Sequence, residues 1–78
     1  MAGKAILNLA GVSWPLCLMK CNQAVQQMQA GATLEVIMKD ADVVDDMVRL
    51  VTRTGPCDVE VVRHSNHISL YLTKLERV

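Results

Sequence analysis

The chain has 78 residues, a formal net charge of zero at pH 7 and about half of its residues apolar, with no Phe, one Trp and one Tyr. That length suits one domain, 1–78, near the size at which a single core just suffices, and the core must be built from Val, Leu, Ile, Met and Ala. A neutral chain without a basic block lacks the electrostatic footprint of a nucleic-acid binder and is a weak match to an anionic membrane surface, and no apolar run approaches the ~20 residues of a membrane span.

The N-terminus carries one Lys and a short apolar patch interrupted by Asn8, too weak for a signal peptide. Three irregularly spaced cysteines do not suggest a secreted disulfide framework. The expectation is a cytoplasmic protein with reduced thiols, with no cofactor and no metal site.

Residues 4–9 (KAILNL) read as a strand that Gly11 ends. Val12-Ser13-Trp14 then leads into Pro15, which opens a helix: Pro is favoured at the first helical position, where its missing N–H has no partner to lose. Counting Pro15 as that first position makes Trp14 the N-cap and Cys17 the third residue of the first turn. From Pro15 to Gln29, Cys17, Leu18, Cys21, Ala24, Val25 and Met28 recur at three and four residues. This leaves Lys20, Asn22, Gln23, Gln26 and Gln27 outward. Ala30-Gly31 supplies the stop.

Thr33–Lys39 alternates Leu34, Val36 and Met38 against Glu35, Ile37 and Lys39, a second strand. Asp40 or Asp42 caps a second helix with acids in its first turn and an inward stripe of Val43 or Val44, Met47, Leu50 and Val51. Gly55-Pro56 ends it. Two further strands, 58–64 and 67–75, meet at a tight turn, Ser65-Asn66.

The order is therefore β-α-β-α-β-β. Helical crossovers favour parallel, right-handed connections and the final hairpin must be antiparallel. The expected fold is an α+β two-layer sandwich, a mixed four-stranded sheet with both helices on one face and Ile37, Val62 and Tyr71 on the open face.

Cys17 is the first candidate for chemistry. At a helix N-terminus a thiol lies beside free backbone N–H groups and the positive end of the dipole, which favours the thiolate. The alternative is a small buried hydrophobe on the inward stripe. Cys21 occupies a core position one turn on and is a secondary candidate as resolving thiol, although a bridge between i and i+4 requires unwinding the first turn. Cys57 reads as a loop or strand-start residue without a role, at the opposite end of the sheet from Cys17. His64 and His67 read as exposed turn residues, since no metal-ligand spacing accompanies them. The acids at 40, 42, 45 and 46 suit a solvated helix start. Trp14, a large aromatic at a helix mouth, either folds back as a plug or anchors a partner.

With these residues in view, the chain resembles the TusA/SirA-like family of small sulfur carriers. That family shares the element order and carries L-D-x-x-G-x-x-C-P-x-P at the first helix. Leu7, Gly11 and Pro15 agree with the signature, and Met28, Gly31, Leu34 and Val36 match a following M-x-x-G-x-x-L-x-V pattern. Asp40, Asp46 and Gly55 match further family positions. Asn8 replaces the signature acid, Trp14 stands where the family has its persulfide-carrying cysteine, and Cys17 stands at the second Pro.

The resemblance implies a sulfurtransferase-like carrier relaying persulfide sulfur between donor and acceptor proteins. Cys17 is then the candidate carrier, Cys21 the secondary thiol, and Asn8, Gly11, Trp14 and Pro15 the helix-mouth binding motif. The competing implication is a non-catalytic protein-binding or regulatory module that kept the fold and lost the reactive cysteine. A thiol redox switch between Cys17 and Cys21 is a third.

Overall fold

The computed structural model describes residues 4–75; the ends of the single-domain span, 1–3 and 76–78, lie outside the described residues. Six elements follow in the expected order: β1 (Lys4–Asn8), α1 (Leu16–Gln27), β2 (Thr33–Met38), α2 (Ala41–Thr54), β3 (Cys57–Arg63) and β4 (Ile68–Lys74). The sheet order is β1-β2-β4-β3. β1 pairs parallel to β2, while β4 pairs antiparallel to both β2 and β3. The crossover through α2 thus joins two parallel strands that are not neighbours, and the hairpin returns β4 into the slot between them.

The inward alternation of β2 supplies one wall of the core. Leu34, Val36 and Met38 lie in register with Leu72, Leu70 and Ile68 of β4, and all six are buried. Above them, α1 contributes Cys17, Cys21 and Val25, and α2 contributes Val44, Met47 and Val51. Val44 rather than Val43 takes the inward position, and Leu50 is half-buried. Without Phe, the unbranched Met47 fills the space between the layers, where it is fully buried.

Ile37, Val62 and Tyr71 lie on the sheet face away from the helices. There the Ser69 hydroxyl donates to Glu35 Oε2 at 3.1 Å, which lets Ser69 be fully buried on an otherwise open surface. The Lys4 ammonium sits 5.9 Å from the Tyr71 ring centroid on the same face.

Three features of α1 differ from expectation. The helix begins at Leu16, with Pro15 as its N-cap, so Cys17 is the second residue of the first turn. It stops at Gln27, because Met28 turns extended (φ −70°, ψ 143°). The Lys74 ammonium reaches from β4 to the carbonyls of Met28 (2.9 Å) and Val25 (3.5 Å), placing a cation on the negative end of the helix. Asn22 does not face outward: it is half-buried, and its Oδ1 is buried without a hydrogen-bond partner. Polarity alone had assigned it to the solvent face.

At the start of α2, Asp40 is the cap, its Oδ1 accepting the Asp42 N–H at 3.0 Å. No helix among the described residues is long and apolar enough to cross a membrane.

Candidate functional site

β1 ends where the Asn8 side chain accepts the Ala10 N–H at 3.0 Å, an Asx turn. The Leu9 N–H still donates to the Ile37 carbonyl at 2.8 Å, extending contact with β2 by one residue. Gly11 then adopts φ +84°, and the Val12 N–H closes on the Leu9 carbonyl at 3.0 Å. This turn carries the chain over the end of the sheet to Ser13 and Trp14, and a cis peptide precedes Pro15. The junction of β2 and α2 lies at the same end, so both helices start beside one another over the strand ends. Between them is a cavity of about 320 Å³, lined by residues that include Val12, Trp14, Cys17, Met38, Lys39 and Asp40.

Cys17 contributes to the wall of this cavity yet is only 3% exposed. Its own N–H donates to the Ser13 carbonyl at 3.1 Å, and the N–H groups of Leu18 and Met19 both reach the Pro15 carbonyl, at 3.1 and 3.3 Å. The expected ring of free N–H groups around the thiol is thus taken up by backbone acceptors. The turn through Ser13 and the cap at Pro15 bring those carbonyls over the first helical turn. What the mouth offers a charged sulfur is the dipole of α1. Trp14 also lines the cavity while 54% of its surface faces solvent, so it stands at the rim rather than closing it. Leu16 and Met19, also exposed, continue an apolar surface outward from it.

Cys21 lies one turn deeper and is fully buried. Burial, with smaller contributions from the Cys57 and Cys17 thiols, pushes its pKa up to about 12, so it keeps its proton at neutral pH. Cys17 and Cys21 belong to an unbroken helix. Cys57 is the first residue of β3 and lines a separate cavity of about 440 Å³ with Val25, Pro56 and Lys74, at the C-terminal end of α1. Burial and then the Asp58 carboxylate raise its pKa against the lowering effect of Lys74. It therefore lies away from the helix mouth and at a strand start, both as expected, and packs against the core.

The two histidines close the β3–β4 turn, the His64 N–H donating to the His67 carbonyl at 2.8 Å. Their rings stack with centroids 4.3 Å apart. Among the described residues, no group of three His, Cys, Asp or Glu is placed to hold a metal ion.

The structure thus brings Gly11, Trp14 and Cys17 together around one cavity, with Asn8 shaping the turn and Pro15 capping the helix below. Sequence reasoning missed Met38, Lys39 and Val43 as the opposite wall. The available signal was the matching strand-to-helix junction at Asp40, which two parallel strands must place beside the first.

Residues 5–74 match the family model described as Sulfurtransferase TusA. Among solved structures, a crystal structure of a SirA-like protein from Desulfitobacterium hafniense superposes with a TM-score of 0.77 at 14% identity. The match covers 92% of this chain and 99% of that one, a likeness that carries the fold alone. A search of curated proteins returns no match.

Proposed function

The chain belongs to the TusA sulfurtransferase family, and from that premise we propose that it is a small sulfur carrier whose persulfide forms on Cys17. The observation that supports this reading is the position of Cys17 on the wall of a cavity at the shared helix mouth. Cys21, by contrast, is sealed and held as a neutral thiol.

In the transfer, the Cys17 thiolate attacks the outer sulfur of a donor protein's persulfide. One S–S bond breaks as another forms, the donor leaves as its thiolate, and no external oxidant or reductant is needed. Handing sulfur on repeats the exchange with an acceptor thiolate. The persulfide carries its charge at the N-terminal end of α1, where the dipole favours it. All three cysteines are free, which suits work in a reducing cytoplasm. Sulfur donor and acceptor proteins are the partners on this reading.

A second reading, a binding or regulatory module without sulfur chemistry, is favoured by Trp14 at the family's reactive position and by the low exposure of Cys17. One experiment separates them. The reduced protein is incubated with a cysteine desulfurase and cysteine, its intact mass is measured, and any added sulfur is located by peptide mapping. The carrier reading expects sulfur on Cys17 and none after Cys17→Ser, with the fold of that variant checked by circular dichroism. A folded protein with free thiols that gains no sulfur would overturn it and leave Trp14 as the centre of a binding surface.

A further inference from the structure

We propose that β3 is a self-recognition edge, through which two copies of this chain join their sheets antiparallel about a two-fold axis at Val61. The inference stands apart from the role of Cys17, because β3 and the helix mouth occupy different parts of the sheet.

β3 has a sheet neighbour on one side only. Edge strands of water-soluble sheets are ordinarily blunted by a bulge, a proline, short length or a covering element. β3 has neither bulge nor proline: its seven residues run in unbroken register against β4, from Cys57 opposite Lys74 to Arg63 opposite Ile68, and the charges it carries, Asp58, Glu60 and Arg63, act on the choice of register. The helices cover it only in part, over Cys57 and Val59. Val61 points to the helix layer yet is 41% exposed, beside an open groove lined by Val44, Val48 and Arg49 of α2.

The direction of the free backbone groups is fixed. The His64 N–H bonds to the His67 carbonyl, and the Pro56 carbonyl accepts the Leu75 N–H, so even-numbered residues of this stretch turn toward β4. By the alternation of an antiparallel ladder, Val59, Val61 and Arg63 turn their N–H and C=O groups outward. Two strands centred on Val61 pair these residues with one another in about six new hydrogen bonds.

Charge then selects the register. With the axis at Val61, Asp58 lies opposite His64 of the second copy, a carboxylate facing an N–H donor, while Glu60 faces Val62 and Val59 faces Arg63. Moving the axis to Glu60 sets that carboxylate against itself, and moving it to Val59 sets Asp58 against Glu60; like charges directly opposite disfavour both. Moving it to Val62 shortens the overlap. At the favoured register the two Val61 side chains meet on the helix side and cover each other. The two four-stranded sheets become continuous, with both helix mouths left open.

The test uses the intact protein in two measurements. Sedimentation from micromolar to millimolar concentration reads the association, and amide exchange by NMR reads its location. The expected result is a concentration-dependent dimer. In it, the Val59, Val61 and Arg63 amides exchange about fivefold more slowly at a total protein concentration of ten times the dissociation constant, while Glu60 and Val62, already paired with β4, do not change. Val61→Lys, which sets two ammonium groups on the axis, is expected to leave a folded monomer. Asp58→Lys weakens the dimer and adding His64→Glu restores it. A protein that stays monomeric throughout overturns the proposal, as does a dimer that survives Val61→Lys or is instead abolished by Ile6→Lys on the opposite edge.

Discussion

Position 14, where the resemblance aligns the family's sulfur-bearing cysteine, is Trp in this chain, and the nearest thiol is three residues on, at Cys17. The replacement changes what each position offers: an aromatic ring at the solvent-facing rim, and a sulfur at the wall of the cavity. Trp14→Ala is expected to leave stability within about 0.5 kcal/mol, as for most exposed substitutions, while weakening capture by a sulfur-donor protein measured by titration calorimetry. Cys21 makes a different prediction. Its thiol keeps its proton up to about 12 in the folded state but loses it near 9.0 when unfolded. Between those values the unfolded chain binds fewer protons, so stability falls as pH rises; below about pH 9 the contribution is intact. The slope approaches about 1.4 kcal/mol per pH unit from this one group. Cys57, also raised, adds to it with the same sign. Urea denaturation between about pH 8 and pH 11 checks this, and Cys21→Ala should flatten the decline.

The two helices begin in different ways, and their caps make separate predictions. α2 starts with a side-chain cap, and Asp40→Ala should lower stability by about 1 kcal/mol in urea denaturation. α1 has no side-chain cap; its first N–H groups are served by the Ser13 and Pro15 carbonyls, which the Gly11 turn delivers. Gly11 holds φ +84°, and a Cβ added there meets nothing within 4 Å, so the cost of Gly11→Ala is backbone strain alone, about 1–2 kcal/mol. Because that turn also aims Trp14 and Cys17, Gly11→Ala should reduce sulfur loading more than Asp40→Ala does at equal stability. Deeper in α2, Met47 touches the layer beneath with no exposed surface. Met47→Ala leaves a cavity and should cost about 2–5 kcal/mol.

Across the whole molecule, the order of elements, the mixed sheet and the core residues of β2 and α2 were legible in the sequence. Alternation of period two and stripes of period three to four are set by backbone geometry and survive in any context. The helix mouth was legible as a place but not as an environment. Polar residues at helical spacing put Asn22 on the solvent face, and only the packed fold half-buries it. The Pro15 position suggested free N–H groups around Cys17, and only the path of the Ser13 turn fills them. The exposure of Val61, on the helix side of an edge strand, likewise depends on where the helices pack. What the sequence determined by itself was local: which segments form strands and helices and which faces are apolar, because propensity, capping and periodicity act within a few residues. What the tertiary structure alone decided was which thiols line a cavity, which is sealed, and which strands form the edges of the sheet, because each depends on groups far apart in the chain arriving at one place.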